Sequence, residues 1–220
     1  YAVDGKRRLT EVKLDYLEGW RGSRPVCIGN AAELQFQSDV YGMLLELSAR
    51  WSERGNSPAP DYWRFLVDLV EAAIAKWHLP DRGLWEVRSA PRHFVHSKVM
   101  CWVAVDRGIA LAEAHGLAAP LKRWRRSRAL MRRTIDSRGV DPKRGVFRRS
   151  FGSRQLDASL LLLPNVGFVP WDDERMVRTV DAIRSELMRG GLVARYRTAD
   201  GLRGWEGNFV ACSFWLAECL

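Results

Sequence analysis

The sequence has 220 residues, of which 47% are hydrophobic and 28% charged, a balance that is ordinary for a soluble globular domain with its own core. No run of apolar residues approaches the length that a membrane-spanning helix needs, so no such helix is predicted within these residues. The sequence opens without Met and without the apolar segment of a secretory signal, so no targeting sequence is visible.

The net charge of +9 comes largely from an arginine-rich stretch at 121–154. Such a stretch can bind nucleic acid, and a basic helical nucleic-acid-binding module is therefore one alternative. The signatures of RNA- and DNA-binding domains are absent from the sequence, which favours a solvated arginine-rich face instead. We expect neither nucleic acid nor a membrane as a partner, and the sequence does not indicate an oligomeric state.

The four cysteines form no C-x-x-C pair, and no close-spaced Cys/His set that could bind zinc is present. Three of them fall in apolar helical patterns, so buried free thiols are predicted. Free thiols favour a cytoplasmic location. The cysteines are Cys27, Cys101, Cys212 and Cys219.

Helical periodicity dominates the chain from residue 31 onward. A first helix is predicted over 31–51, with Asn30 as its N-cap, and a second over 61–78, with Asp61 as its possible N-cap. Later helices are predicted over 94–115, 121–136, 157–163, 171–189 and the apolar segment that closes the sequence. Pro80 is predicted to stop the second helix, and Gly116 the helix over 94–115. Asp172 or Asp173 is the predicted cap of the helix over 171–189, which Gly190 and Gly191 end.

This order of helix, helix and loop predicts an all-α domain of antiparallel helical hairpins, either a toroid or a solenoid. No repeat of the 34-residue tetratricopeptide kind is visible. The turns vary in length, which favours a toroid with elaborated loops on one face.

Two loops, at 81–88 and 195–207, each place a Trp directly before a Glu, with Arg nearby. An indole face can stack on a pyranose ring, and Arg and carboxylate groups can hydrogen-bond its hydroxyls. A carboxyl beside an indole is partly desolvated, which favours the protonated form that a general acid needs. These loops therefore indicate a sugar site. His93, His96 and His115 are candidates for such a site, but a structural role is favoured for all three. Lys98 could reach the site or extend its charged end to solvent.

Four long segments, in order along the chain, resemble glycoside hydrolase family 15, the bacterial glucoamylase and trehalase-like family. The segments are RPVCIGNAAELQFQSDVYG, GLWEVRSAPRHFVHSKVMCWVAVDRGIALA, LDASLLLLPNVGFVPWDDERMVRTVDAI and RYRTADGLRGWEGNFVACSFWLAECL. The resemblance implies an (α/α)6 toroid with its site in the loops at one mouth. It also implies hydrolysis of a terminal α-glucosidic bond with inversion, and no metal or organic cofactor.

The resemblance also implies roles for single residues. Glu86, in the LWE motif beside Trp85, matches the general acid of the family. Arg195 and Tyr196 match its substrate-binding Arg-Tyr pair. A looser alignment puts Trp20 and Arg24 near the glucose subsites.

The general base is harder to assign, because inversion needs a second carboxylate on the opposite face of the sugar ring. Glu206, beside Trp205, is the tempting partner from the sequence alone. In the family, however, the base lies in a later segment that nothing here matches. We therefore expect Glu206 to contact substrate or to order its loop, and the base to lie outside these 220 residues.

The whole of 1–220 is predicted to be part of a single toroidal catalytic domain, truncated at both ends, with exposed apolar helix faces and little hydrolysis by itself. Trehalose and α-1,4- or α-1,6-linked gluco-oligosaccharides are equally open as the small α-glucoside substrate. The alternatives of another class are a non-catalytic sugar-binding remnant and a phosphorylase of similar toroidal fold.

Overall fold

The computed structural model of the chain describes residues 3–6, 8–198 and 207–220, which divide into the units Tyr1–Phe36 and Gln37–Leu220. In the first unit, β1 (Val12–Lys13) pairs antiparallel with β2 (Cys27–Ile28), with Val12 opposite Ile28. Two 3-10 helices, Trp20–Gly22 and Ala31–Leu34, accompany this pair.

The second unit is helical, and the prediction of an all-α fold is confirmed. Its described residues form six α-helices, one 3-10 helix and a two-stranded hairpin. The helices are α1 (Asp39–Glu53), α2 (Pro60–Lys76), α3 (Val95–His115), α4 (Leu121–Arg138), α5 (Glu174–Leu187) and α6 (Val210–Glu218), the 3-10 helix is Ala158–Leu162, and the hairpin is β3 (Met188–Arg189) with β4 (Leu192–Val193).

Several predicted helix ends are found where the sequence indicated them. Gly116 follows α3 in the left-handed conformation, with φ of 61°, and its N–H bonds back to the Ala112 carbonyl. Asp173 caps α5, because its carboxylate accepts the Arg175 N–H at 2.9 Å. Pro60 is the first residue of α2, so Asp61 lies in the first turn and is not the cap.

The prediction of one continuous helix over 31–51 is wrong. The 3-10 helix Ala31–Leu34 ends at Gln35, whose backbone is extended, and α1 begins only at Asp39. The Ser38 N–H donates to the Asp81 carboxylate at 3.0 Å and not to a carbonyl one turn earlier, which excludes helical continuation here. Asn30 does act as a cap, since its side chain accepts the Ala32 N–H at 2.9 Å.

Two later predictions also change in detail. The segment predicted as a helix over 157–163 is the 3-10 helix Ala158–Leu162, and the Asp157 carboxylate caps it by accepting the Ser159 N–H at 2.9 Å. The helix predicted over 171–189 is shorter, because the chain leaves α5 after Leu187 and enters the hairpin. Gly190 and Gly191, both with positive φ, make the turn between β3 and β4.

Helix α3 lies at the centre of the second unit and packs against α1, α2 and α4. It is buried on every side over its first half, and its apolar residues join the core cluster of the unit. Gly42 of α1 allows the closest approach, because a Cβ added there would lie 2.2 Å from the Met100 carbonyl oxygen. The first turn of α1 is thereby held directly against α3.

The arginine-rich helix α4 binds acidic side chains of its neighbours. Arg123 pairs with Glu71 of α2, and Arg128 pairs with Asp106 of α3 at 2.7 Å. Trp124, fully buried between them, donates its indole N–H to Glu71 at 2.9 Å. These ion pairs give much of the basic stretch a structural partner within the unit.

Large apolar side chains are nevertheless exposed on α1, α2 and α6. Leu47 of α1 is 64% exposed and Phe214 of α6 is 67% exposed. Their neighbours Val40, Met43, Trp51, Tyr62, Phe65 and Val210 are exposed as well. Among the described residues, no helix is long and apolar enough to cross a membrane.

The close approach of α1 to α3 at Gly42 leads to a prediction about the stability of a variant. Gly42→Ala should lower the free energy of unfolding by about 2 kcal/mol, because overpacking against backbone outweighs the gain in helix propensity. Urea unfolding of the full-length gene product measures this change. Gly108→Ala in α3 is the comparison variant: its Cβ would meet a side-chain methyl group of the buried Val70 at 2.6 Å instead of a backbone oxygen at 2.2 Å, so a smaller loss is expected. Equal stability of Gly42→Ala and wild type would contradict the packing described here.

Candidate active site

The predicted catalytic loop connects α2 to α3, and its two ends are joined by backbone hydrogen bonds. Asp81 and Arg92 form an antiparallel bridge in which each N–H donates to the other's carbonyl at 2.9 Å. Within the loop, the Val87 N–H donates to the Arg82 carbonyl at 3.2 Å, and the Arg82 guanidinium returns to the Ser89 carbonyl. The loop is therefore a compact structure closed at its base.

Glu86 lies in this loop with its side chain exposed to solvent. Its φ of 52° is in the left-handed region, where a residue with a side chain is uncommon, and its N–H donates to the Gly83 carbonyl at 3.2 Å. Residues held in such backbone conformations cluster at functional sites, because the surrounding structure must supply the energy that keeps them there. This geometry agrees with a functional role for Glu86.

Trp85, the neighbour of Glu86, is the centre of an aromatic cluster. Its indole N–H donates to the Asp157 carboxylate at 2.8 Å. Its ring lies 6.4 Å from that of Tyr196, and the rings of Phe209 and Trp215 lie 5.7 and 5.9 Å away. Trp85 therefore joins the loop to the start of the 3-10 helix, to the segment after β4 and to α6.

Two arginines flank this cluster. The Arg195 guanidinium lies 5.1 Å from the centre of the Trp85 ring, and that of Arg149 lies 3.9 Å from the centre of the Tyr196 ring. Arg149 also approaches the Asp157 carboxylate at 3.4 Å and donates to the Thr198 hydroxyl. The structure thus places the adjacent residues Arg195 and Tyr196 beside Trp85, the neighbour of Glu86, although the two pairs are far apart in sequence.

The sequence profile of the glycosyl hydrolases family 15 matches residues 1–220. The chain belongs to this family. It is 47% identical to a trehalase of Mycolicibacterium smegmatis and 40% identical to a trehalase of Thermoplasma acidophilum, over its whole length in both cases. It spans 33% and 38% of those two relatives, so the match covers about a third of each protein.

Two solved structures have a fold similar to that of this chain. A glycosidase variant in complex with glucose superposes with a TM-score of 0.71 at 23% identity, over 84% of this chain and 48% of that chain. A glucoamylase from Saccharomycopsis fibuligera superposes with a TM-score of 0.53 at 14% identity, over 69% of this chain and 37% of that chain. At these identities the superpositions support the fold, an incomplete helical toroid.

The sequence did not indicate two residues of the cluster around Trp85. Asp157 was predicted only as the first residue of an apolar helix, whereas its carboxylate caps the 3-10 helix and also accepts the Trp85 indole N–H. Arg149 is 6% exposed, although its place in the basic stretch indicated a solvated side chain. A buried arginine in a basic segment has no sequence signal, because only the tertiary fold supplies its aromatic and acidic partners.

All of the predicted site roles stay predictions, including those of the residues outside this cluster. Trp20, 79% exposed, and Arg24, which donates to the Glu18 carbonyl at 3.4 Å, lie in the unit Tyr1–Phe36. Glu206 and Trp205 lie outside the described residues. Within the described ranges, no group of three His, Cys, Asp or Glu side chains could hold a metal ion.

Three histidines, His93, His96 and His115, lie in surroundings that suit a structural role. His96 is 4% exposed, and burial lowers its pKa to about 4, so it is neutral near pH 7. His93 stacks on Phe151 with ring centres 5.8 Å apart. The His115 ring lies within hydrogen-bond distance of the Ser52 hydroxyl, at 2.6 Å. These contacts favour the structural interpretation of all three.

A buried carboxyl, Asp39, lies behind the loop in the first turn of α1. It is 3% exposed, and burial raises its pKa to about 6, with the charges of Asp81 and Glu86 adding to the effect. Between pH 4 and pH 6 the folded protein therefore keeps a proton that the unfolded chain has lost. Stability should fall as pH rises through this window, by about 3 kcal/mol in total.

Asp39→Asn should abolish this part of the pH dependence, because an amide carries no charge to desolvate. We expect the variant to gain stability relative to wild type above pH 6, measured by urea unfolding of the full-length gene product from pH 4 to 7. Asp141→Asn is the control: two backbone N–H groups lower the Asp141 pKa, so its loss should reduce stability without changing the slope in this range. Parallel profiles for Asp39→Asn and wild type would contradict the assignment.

Proposed function

We propose that the full-length protein hydrolyses terminal α-glucosidic bonds with inversion, and that Glu86 is the general acid. The observation that carries the proposal is the presentation of Glu86, solvent-exposed and in a left-handed backbone conformation, beside an aromatic and arginine cluster. Membership of family 15 supports the reaction class. Because this chain spans about a third of its trehalase relatives, the activity is proposed for the whole protein.

The proposed reaction follows from the requirements of inversion. Glu86 donates its proton to the glycosidic oxygen as the bond from that oxygen to the sugar C1 breaks. A water attacks C1 from the opposite face and gives its proton to a second carboxylate, the general base. We assign that base to a part of the protein outside these 220 residues, with Glu206 as the candidate within them.

The cluster beside Glu86 supplies groups that suit a sugar. Arg195 carries guanidinium N–H donors that match ring hydroxyls, and its position over Trp85 fixes it near the loop. Tyr196, 8% exposed, is packed between the two arginines. We infer that Arg195 and Tyr196 bind the glucose ring, and that Trp85 contacts it while ordering both.

Trehalose is the proposed substrate, because the relatives with 47% and 40% identity are named trehalases. The choice between trehalose and maltose- or isomaltose-type glucosides is open to direct comparison of the three sugars. The four cysteines are free thiols, which supports a cytoplasmic location as the proposed compartment.

Glu86→Gln should lower kcat on trehalose by about 10²- to 10⁴-fold, the usual contribution of a general acid. The test is hydrolysis of trehalose by the full-length gene product, followed by proton NMR of the anomers released. Inversion at one ring predicts one β-glucose and one α-glucose from each wild-type turnover. Glu174→Gln is the control, because Glu174 is an exposed carboxylate at the start of α5, and it should keep the wild-type rate.

Three results would contradict the proposal. If Glu86→Gln keeps the wild-type rate, Glu86 is only a structural loop carboxylate. If cleavage depends on inorganic phosphate and releases a glucose phosphate, the protein is a phosphorylase. Binding of trehalose without turnover by the full-length protein would instead favour a non-catalytic sugar-binding role.

A further inference from the structure

Asp81 is the residue at which the catalytic loop begins, and its side chain is one of the most buried charges of the chain, at 1% exposed. Its carboxylate oxygen Oδ2 accepts two hydrogen bonds from Ser38, from the backbone N–H at 3.0 Å and from the hydroxyl at 2.8 Å. Ser38 is the N-cap of α1 but makes no side-chain cap bond, so its hydroxyl serves Asp81 instead. One carboxylate therefore joins the start of α1 to the base of the loop.

The residue before Ser38 makes a second connection to the loop. The Gln37 amide donates to the Gly83 carbonyl at 3.1 Å, and the same carbonyl accepts the Glu86 N–H at 3.2 Å. The segment at the start of α1 thus contacts the loop at two points. One is the Asp81 carboxylate, and the other is the Gly83 carbonyl, which also binds the Glu86 N–H. A left-handed conformation at Glu86 persists only where the surroundings fix it, and these contacts are the surroundings that the structure supplies.

The buried charge of Asp81 has an opposite charge close by. Lys98 of α3 is fully buried, and its ammonium group donates to the Leu79 carbonyl, two residues before Asp81. Burial lowers the pKa of Lys98, while the nearby Asp81 charge acts in the opposite direction. The Asp81 oxygen Oδ1 has no hydrogen-bond partner within the described residues, so this charge interaction compensates part of its desolvation.

We propose that Asp81 is a positioning residue of the reaction: through Ser38 it fixes the loop so that the Glu86 carboxyl meets the glycosidic oxygen. The proposal rests on the proposed role of Glu86 as general acid. Asp81 itself does not contact substrate in this scheme. Its loss should weaken proton donation in the transition state and leave ground-state binding unchanged, so kcat should fall while KM stays constant.

A comparison of two substrates separates this role from a purely structural one. Trehalose needs a proton on its leaving oxygen, whereas α-glucosyl fluoride loses fluoride without help from an acid. Misplacement of Glu86 should therefore reduce turnover of trehalose and spare turnover of the fluoride. A general loss of structure should reduce both rates equally, so the ratio of the two rates reports on the position of the acid.

In the full-length gene product, Asp81→Asn should lower kcat on trehalose by about 10- to 100-fold, the size expected for a displaced catalytic group, with little change on the fluoride. Ser38→Ala removes one donor to the same carboxylate and should give the same selectivity with a smaller loss, even if Asp81→Asn fails to fold. Asp141→Asn removes the charge of another largely buried aspartate, one that accepts hydrogen bonds from the backbone N–H groups of Lys143 and Arg144 in its own turn, and should keep the wild-type ratio.

Glu86→Gln, measured in parallel, distinguishes the two proposals. If Glu86→Gln loses trehalose turnover selectively but Ser38→Ala and any folded Asp81→Asn keep the wild-type ratio, Asp81 is structural only and the positioning role is wrong. If Glu86→Gln itself leaves the ratio unchanged, the proposed function fails, and the positioning role fails with it.

Discussion

The bond between Ser38 and the buried Asp81 carboxylate is the constraint on which the candidate site depends. It joins residues 43 positions apart, ends the irregular segment before α1, and holds the base of the loop that carries Glu86. Burying a carboxylate is costly unless it is hydrogen-bonded and its charge is compensated. Here Ser38 donates the hydrogen bonds, and the charge of Lys98 compensates part of the desolvation. Contacts from α1 and α3 in the core therefore support the base of the loop, in addition to the hydrogen bonds that the loop makes within itself.

A second set of contacts fixes the other side of the loop. Trp85 binds Asp157 by its indole N–H and packs among aromatic rings from the segment after β4 and from α6. Because the Trp85 ring also lies beneath the Arg195 guanidinium, the same residue joins the loop that carries Glu86 to the residues proposed to bind sugar. Rigid support of this kind on two sides is what a catalytic carboxylate needs to meet one atom of its substrate.

Much of the fold could be predicted from local sequence patterns. The apolar run of α3 and the left-handed Gly116 that ends it are both readable, because each depends on neighbouring residues alone. The break before α1 is not readable, since the Ser38 N–H leaves the helical pattern for a carboxylate 43 residues away. Glu86 was predicted as a site residue through resemblance to family 15, whereas the contacts of Arg149 and Asp157 with the cluster are visible only in the tertiary fold.

A crystal structure of the full-length protein with a bound, unreactive α-glucoside analogue tests the central claim most directly. If this claim holds, Glu86 keeps its positive φ, Asp81 keeps its bonds to Ser38, and the Glu86 carboxyl lies about 3 Å from the glycosidic oxygen or its analogue. A complex in which another acid meets that oxygen, with Glu86 turned away from the sugar, would contradict it.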